Sequence, residues 1–245
     1  MDRRQDRPDP LPPALILAGG LGTRLRPVVS DLPKPMAPAG GKPFLEHLLR
    51  WLGGQGIGRA VLLVHYMGAA IETHFGNGAR WGITIDTVHE PEALGTGGAV
   101  VHAVTQLGLD GPFFLLNGDS FIDVDLDDFH RSIPDGENGM VLTHRSTPGK
   151  YGIVEMDPDG RITRFAEKGS RIGRGLVNAG CYFLQPGLFQ GRPPIPCAIE
   201  TDLFPEWIAA GTPIRGYPCD GFFIDIGTPD DYRRFQSHVE KGATA

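Results

Sequence analysis

Basic excess, paired cysteines and long apolar runs are all missing from this 245-residue sequence, and each absence removes a class of function. Lysine and arginine total 23 against 29 aspartates and glutamates, a formal net charge of -6. That balance leaves no electrostatic footprint for a nucleic-acid backbone or an anionic membrane, although a local basic pocket for a small phosphate stays open. The three cysteines, Cys181, Cys197 and Cys219, are odd in number and lack C-x-x-C spacing, which argues against a disulfide framework and a zinc site. A reduced, cytoplasmic setting is the resulting expectation. No apolar run approaches the roughly 20 residues of a membrane span. The eight histidines show no H-E-x-x-H or other metal spacing. Residues 1–13 are charged and proline-rich without an apolar core of their own, and are expected to form a disordered tail.

What is present is an alternation of short apolar runs with helical patterns. ALILA at 14–18, AVLLVH at 60–65, ITIDTV at 83–88 and FFLLN at 113–117 read as strands. Between the first two, apolar residues at 44, 45, 48, 49 and 52 trace one helical face, with Pro43 suited to a first-turn position. Phe44, Trp51 and Phe75 are therefore assigned to the core, and His65 to packing. Strand, helix, strand is the signature of a parallel or mixed sheet covered on both faces.

The second half is richer in strands: 140–144, then 151–156 and 161–165 joined by the turn DPDG, then 176–184. That hairpin predicts a mixed sheet. Helices are expected over 201–210 and 228–236 with threonine at each cap, the second with Pro229 just inside, and the acidic run 123–128 reads as another helix start. With no internal repeat and no linker between two cores, the expected fold is one Rossmann-like, three-layer α/β/α domain over 14–238. Its central sheet would be mixed and mainly parallel, with a short C-terminal tail at 239–245.

Directly behind the first strand comes GGLGTRLRP at 19–27. Gly19, Gly20 and Gly22 let the backbone turn tightly and approach a ligand, since glycine has no Cβ and visits positive φ freely. A plain strand-to-helix turn uses glycine in the same way, and the spacing matches neither G-x-G-x-x-G nor G-x-x-x-x-G-K-[ST]. Arg24 and Arg26 supply permanent cations just beyond, and Lys34 lies between two prolines in DLPKPM. The residue before proline is biased away from helix, so Lys34 is expected on stiff, extended backbone.

GGLGTRLRP with PKP resembles the signature of the sugar-nucleotidyltransferases, which join a nucleoside triphosphate to a sugar 1-phosphate. The resemblance continues in order through LGTGGA at 94–99, NGD at 117–119, EK at 167–168, NAG at 178–180 and FIDIGTP at 223–229. VSDLPKPMAP, GKPFLE and FIDIGTPDDYRR most resemble the branch that transfers GMP to a heptose 1-phosphate. Branches using mannose 1-phosphate with GTP, or N-acetylmuramate 1-phosphate with UTP, stay open. So does a catalytically silent nucleotide-sugar sensor on the same fold, against which the presence of Arg24, Lys34, Asp119 and Asp225 counts.

The resemblance implies a division of labour. Leu17, Ala18, Gly19, Gly20, Gly22, Thr23, Glu90, Gly95, Asn117 and Gly118 would bind the nucleotide, Arg24 and Lys34 would act on the reacting phosphates, and Asp119 with Asp225 would hold Mg²⁺. Tyr151, Gly152, Glu167, Lys168 and Asn178 would bind the sugar phosphate, with Gly169 departing from the proline frequent after that lysine. Isolated aspartates after strands often serve turns or caps, whereas a pair from separate strands suits a hard cation. A carboxylate at Glu90 can accept from guanine N1–H and the 2-amino group, which favours GTP, although uridylyltransferases can carry a similar E-x-E-A element. A phosphate monoester is already ionised near neutral pH, so no general base is required. Nothing in the sequence specifies an oligomeric state.

Overall fold

A computed structural model of the chain describes residues 10–20, 22, 25, 29, 32–145, 153–166 and 175–242. Among these, the strands are β1 (Ala14–Leu17), β2 (Pro38–Ala39), β3 (Lys42–Pro43), β4 (Arg59–Val64), β5 (Thr84–His89), β6 (Phe113–Asn117), β7 (Ser120–Ile122), β8 (Asn138–Arg145), β9 (Ile153–Met156), β10 (Ile162–Ala166), β11 (Gly175–Leu184), β12 (Ile214–Pro218) and β13 (Phe223–Asp225). The helices are α1 (Phe44–Gly54), α2 (Gly68–Phe75), α3 (Gly95–Leu107), α4 (Leu126–Ser132), α5 (Phe204–Ala209) and α6 (Pro229–Glu240).

Strands β6, β1, β4 and β5 form a parallel block. Antiparallel β11 joins it at β6, and β8, β9, β10 and β12 extend the sheet from there. The period-2 alternation of the strands explains why both faces need cover. On β1 and β4, Ala14, Ile16, Ala60, Leu62 and Val64 pack on one face with α1 and α6, while Leu15, Val61 and Leu63 pack on the other with α3 and α5. All eight are 0% exposed, and burying a Leu, Ile or Val side chain stabilises by about 1.5–3 kcal/mol.

The helical face expected at 44, 45, 48, 49 and 52 is buried at every position, and Pro43 sits one residue ahead of α1 with extended ψ. Leu11 and Val239 also pack against the core. Asp125 caps α4 by accepting from Asp128 N–H at 2.9 Å. At α6, Thr228 Oγ1 accepts from Asp231 N–H at 3.2 Å, with Pro229 in the first turn. Thr228→Ala should cost about 1 kcal/mol of stability, read as the shift in a urea midpoint.

Two local expectations fail. Thr201 does not cap a helix: a π-helical turn already runs over Ile199–Leu203 ahead of α5, and Thr201 lies inside it, donating to Asp202 Oδ1. Lys34 is not extended. It opens a 3₁₀ turn (Lys34–Met36) closed by Met36 N–H to Pro33 O at 2.7 Å and Ala37 N–H to Lys34 O at 3.1 Å. The bias before proline yields to those two bonds, and the backbone is held all the same.

Candidate active site

The carboxyl ends of parallel strands are where open α/β sheets collect ligands, and β1 and β6 end side by side, Leu17 opposite Asn117. Gly118 N–H donates to Leu17 O at 2.9 Å, and a Cβ on Gly118 would stand 2.4 Å from that oxygen. Only glycine lets the chain leave β6 so close to β1. Asp119 follows at once, and β7 then pairs antiparallel with β13, setting Asp225 against Ser120. Ile226 N–H donates to Asp119 O at 3.0 Å and fixes the second segment to the first. Two aspartates distant in sequence thereby share one corner.

The Lys34 ammonium lies between them, 2.5 Å from Asp119 Oδ2 and 3.2 Å from Asp225 Oδ1. Lys34 is 8% exposed, whereas the aspartate side chains keep 37% and 29% of their surface open. Burial works to lower the lysine pKa, but attraction to both carboxylates outweighs it and holds the value above the ordinary one. Asp225 is pushed upward by burial and by the neighbouring charge of Asp119, with Lys34 and the Gly227 N–H pulling the other way. Gly22, at φ +58°, packs on this lysine, since a Cβ there would come within 2.8 Å of Lys34 Cβ. Gly22 and the PKP turn are thus packed together.

No group of three or more His, Cys, Asp or Glu placed to hold a metal occurs among the described residues. Mg²⁺ asks for less: one or two carboxylates, with phosphate oxygens and water completing its shell. Asp119 and Asp225 are half-open oxygen donors that already converge on a cation, the lysine ammonium, so this pair fits the ion.

Glu90 reaches the same cleft from the end of β5. A Cβ on Gly19 would lie 2.5 Å from Glu90 Oε1, while Glu90 Oε2 accepts from Leu94 N–H at 3.0 Å. Burial raises the Glu90 pKa, opposed by the Leu94 N–H and by His65 and His102. His65 is only half-buried, its Nδ1 3.4 Å from Glu90 O, so it edges this corner and is not purely core. The glycines of LGTGG serve close packing: Gly97 N–H donates to Cys197 O, and a Cβ at Gly95 or Gly98 would strike the backbone of Cys197 or Ile195. Gly95 keeps an exposed outer side at the start of α3. Ala18 N–H is tied to Leu63 O, and Gly20 is exposed with nothing near a would-be Cβ.

On the β11 side, Asn178 begins a bulge in which Gly180 takes φ +71°. Asn178 Oδ1 accepts from Gly180 N–H, its Nδ2 donates to Tyr182 OH at 2.7 Å, and a Cβ on Gly180 would press within 2.9 Å of Asn117 Nδ2. A residue the sequence reading missed, Glu200, joins this network by accepting from Thr96 Oγ1 at 2.8 Å and Asn117 Nδ2 at 3.5 Å. Assigning Thr201 as a cap hid it, and a carboxylate just ahead of an amphipathic helix was the available signal. Thr23, Arg24, Tyr151, Gly152, Glu167 and Lys168 lie outside the described residues.

Comparison with known proteins agrees with this architecture. The model of the nucleotidyl transferase family matches residues 13–242. The chain is 39% identical over 230 residues to D-glycero-alpha-D-manno-heptose 1-phosphate guanylyltransferase of Aneurinibacillus thermoaerophilus, covering 93% of this chain and 98% of that one. It is 35% identical to mannose-1-phosphate guanylyltransferase of Mycobacterium tuberculosis over 94% of its own length, but spans only 65% of that protein. The crystal structure of HddC from Yersinia pseudotuberculosis complexed with GMP-PN superposes with a TM-score of 0.83 at 32% identity, covering 94% of this chain and all of that one. From a family model spanning nearly its whole length and a relative matched end to end, the chain belongs to the nucleotidyl transferase family.

Proposed function

We propose that the protein transfers GMP from GTP to a sugar 1-phosphate, with D-glycero-α-D-manno-heptose 1-phosphate as the preferred acceptor. The observation that carries this reading is the convergence of Asp119, Asp225 and Lys34 beside the glycine loop at the ends of β1 and β6. An acceptor phosphate oxygen would attack the α-phosphorus of GTP, forming one P–O bond as the bond to the β-phosphate oxygen breaks, and pyrophosphate would leave with the electron pair. No proton need move, so the site's work is alignment and charge neutralisation.

Asp119 and Asp225 would hold Mg²⁺, which when bound supplies charge neutralisation at the triphosphate oxygens. Leu17, Ala18, Gly19, Gly20, Gly22, Gly95, Asn117 and Gly118 would line the nucleotide, with Thr23 and Arg24 on the same loop, and Arg24 would stabilise charge on the departing pyrophosphate. Lys34 would draw the acceptor phosphate in. Tyr151, Gly152, Glu167, Lys168 and Asn178 would take the sugar side. Support for the heptose acceptor comes from the relative named for that reaction, which matches this chain at 98% of its own length.

Glu90 would select guanine, its carboxylate held against Gly19 by the Leu94 N–H. Glu90→Gln should lower the ratio of kcat/KM for GTP over UTP about tenfold or more, because one charge-assisted acceptor is replaced by a neutral amide. A ratio unchanged by that substitution would remove Glu90 from base selection. The reading as a whole is tested by pyrophosphate release across GTP, UTP, CTP, ATP and dTTP with heptose, mannose and N-acetylmuramate 1-phosphates. Preference for GTP with the heptose is expected; preference for UTP with the amino sugar would overturn the assignment.

A further inference from the structure

Lys34 occupies a position that its expected role does not explain. A lysine kept only to meet an incoming phosphate would point its ammonium into the open cleft. Instead the side chain is buried and its Nζ bridges Asp119 Oδ2 at 2.5 Å and Asp225 Oδ1 at 3.2 Å, the two groups argued above to suit a divalent cation. Two carboxylates converging at a sheet corner repel each other unless a positive charge stands between them. Lys34 supplies such a charge from the chain itself.

The anchoring is one-sided. The main chain at Lys34 is fixed by the 3₁₀ turn, by Pro33 and Pro35 on either side, and by the Gly22 backbone packed against Cβ. Beyond Cβ lie the rotatable bonds of a four-carbon stem ending in a compact point charge. The base of the side chain stays put while its tip can swing.

We propose that the Lys34 ammonium is a resident counter-cation of the Asp119–Asp225 pair, displaced when a divalent cation enters and thereby freed to take the acceptor phosphate. This rests on the functional reading above, since it assumes that the pair receives a divalent ion. It gives Lys34 two stations, one holding the carboxylates together in the free protein and one on the substrate side. Metal entry and acceptor capture are then linked through one side chain: while the ion is absent, the lysine is sequestered.

The test is direct cation binding in the absence of nucleotide. Titrating Mn²⁺ against the full chain, with free Mn²⁺ read by electron paramagnetic resonance, should give roughly tenfold tighter binding for Lys34→Met than for the unsubstituted protein, between the worth of an exposed pair and of a buried one. Adding Asp119→Asn and Asp225→Asn to Lys34→Met should abolish the gain. Equal or weaker binding by Lys34→Met, or a gain that survives loss of both aspartates, would overturn the proposal.

If Lys34→Met does not fold, acylation of the unsubstituted protein by acetic anhydride, quantified at Lys34 by mass spectrometry, serves in its place. Millimolar Mg²⁺ alone should raise labelling at Lys34 several-fold, and unchanged or slower labelling would overturn the proposal. Pyrophosphate release by the same preparation separates the two ideas. Turnover without the Lys34 effects defeats only the displacement, whereas the Lys34 effects without turnover on any substrate pair defeat the reaction assigned above.

Discussion

Replacing Asp225 with alanine is expected to reduce kcat by at least about 10³-fold while leaving the folded protein intact, and Asp119→Ala should do the same. The size follows from what each carboxylate does. In the proposed reaction two polyanions meet, and only groups already fixed in place can lower the barrier without reorganising. The fold survives because neither aspartate belongs to the core: both keep about a third of the side chain exposed, and the β7–β13 pair is held by its own backbone ladder. Each variant strips one partner from the buried Lys34 ammonium, so a modest fall in thermal midpoint should accompany the loss of turnover. Circular dichroism with steady-state pyrophosphate release separates the two effects. A fully active Asp225→Ala protein would remove that residue from metal binding.

Gly118→Ala should damage the site severely for so small a change. A methyl group would meet Leu17 O at 2.4 Å and Leu17 C at 3.1 Å, both backbone atoms of the interior strand β1, and neither can rotate away. The strand ends would have to part, weakening the Gly118 N–H to Leu17 O bond and displacing Asp119. Overpacking of this kind costs about 1–3 kcal/mol, and the lost hydrogen bond adds to it. The expected result is a urea midpoint lowered by that amount together with weaker Mn²⁺ binding. Gly20→Ala, where nothing lies within 4 Å of the new carbon, should leave stability within about 0.5 kcal/mol of the parent. Equal stabilities for the two variants would refute the steric account of Gly118.

How far the sequence reveals this arrangement depends on the length of chain over which a signal is written. The parallel block was legible because β1, β4 and β6 carry apolar runs while β5 alternates apolar with polar residues, and the alternation of Ala14, Leu15 and Ile16 between two buried faces explains why the run in β1 is continuous. Helix α1 was legible through five apolar positions on one stripe. The pair β7 and β13 was not, because three residues carry no period. The π-helical turn escaped because Thr201 followed by an apolar pattern imitates a cap, while the hydrogen bonds that start the turn at Ile199 depend on Thr96, 103 residues away.

The site divides in the same way. Its aspartates, its PKP lysine and its glycines were named through an ordered family resemblance. What Gly118 and Gly22 are for became clear only from the atoms that a Cβ would meet. The bridge from Lys34 to the two aspartates spans 85 and 191 residues of sequence, and no local pattern encodes it. Glu200 reaches Thr96 and Asn117 over 104 and 83 residues, so its place in the network is likewise a product of the fold.

Transfer of label from GTP tests the central claim most directly. The protein, incubated with GTP radiolabelled at the α-phosphate, D-glycero-α-D-manno-heptose 1-phosphate and Mg²⁺, should place the label in a GDP-sugar with one pyrophosphate released for each product formed. Label that stays in GTP with this acceptor and with every other sugar 1-phosphate tried would contradict the account.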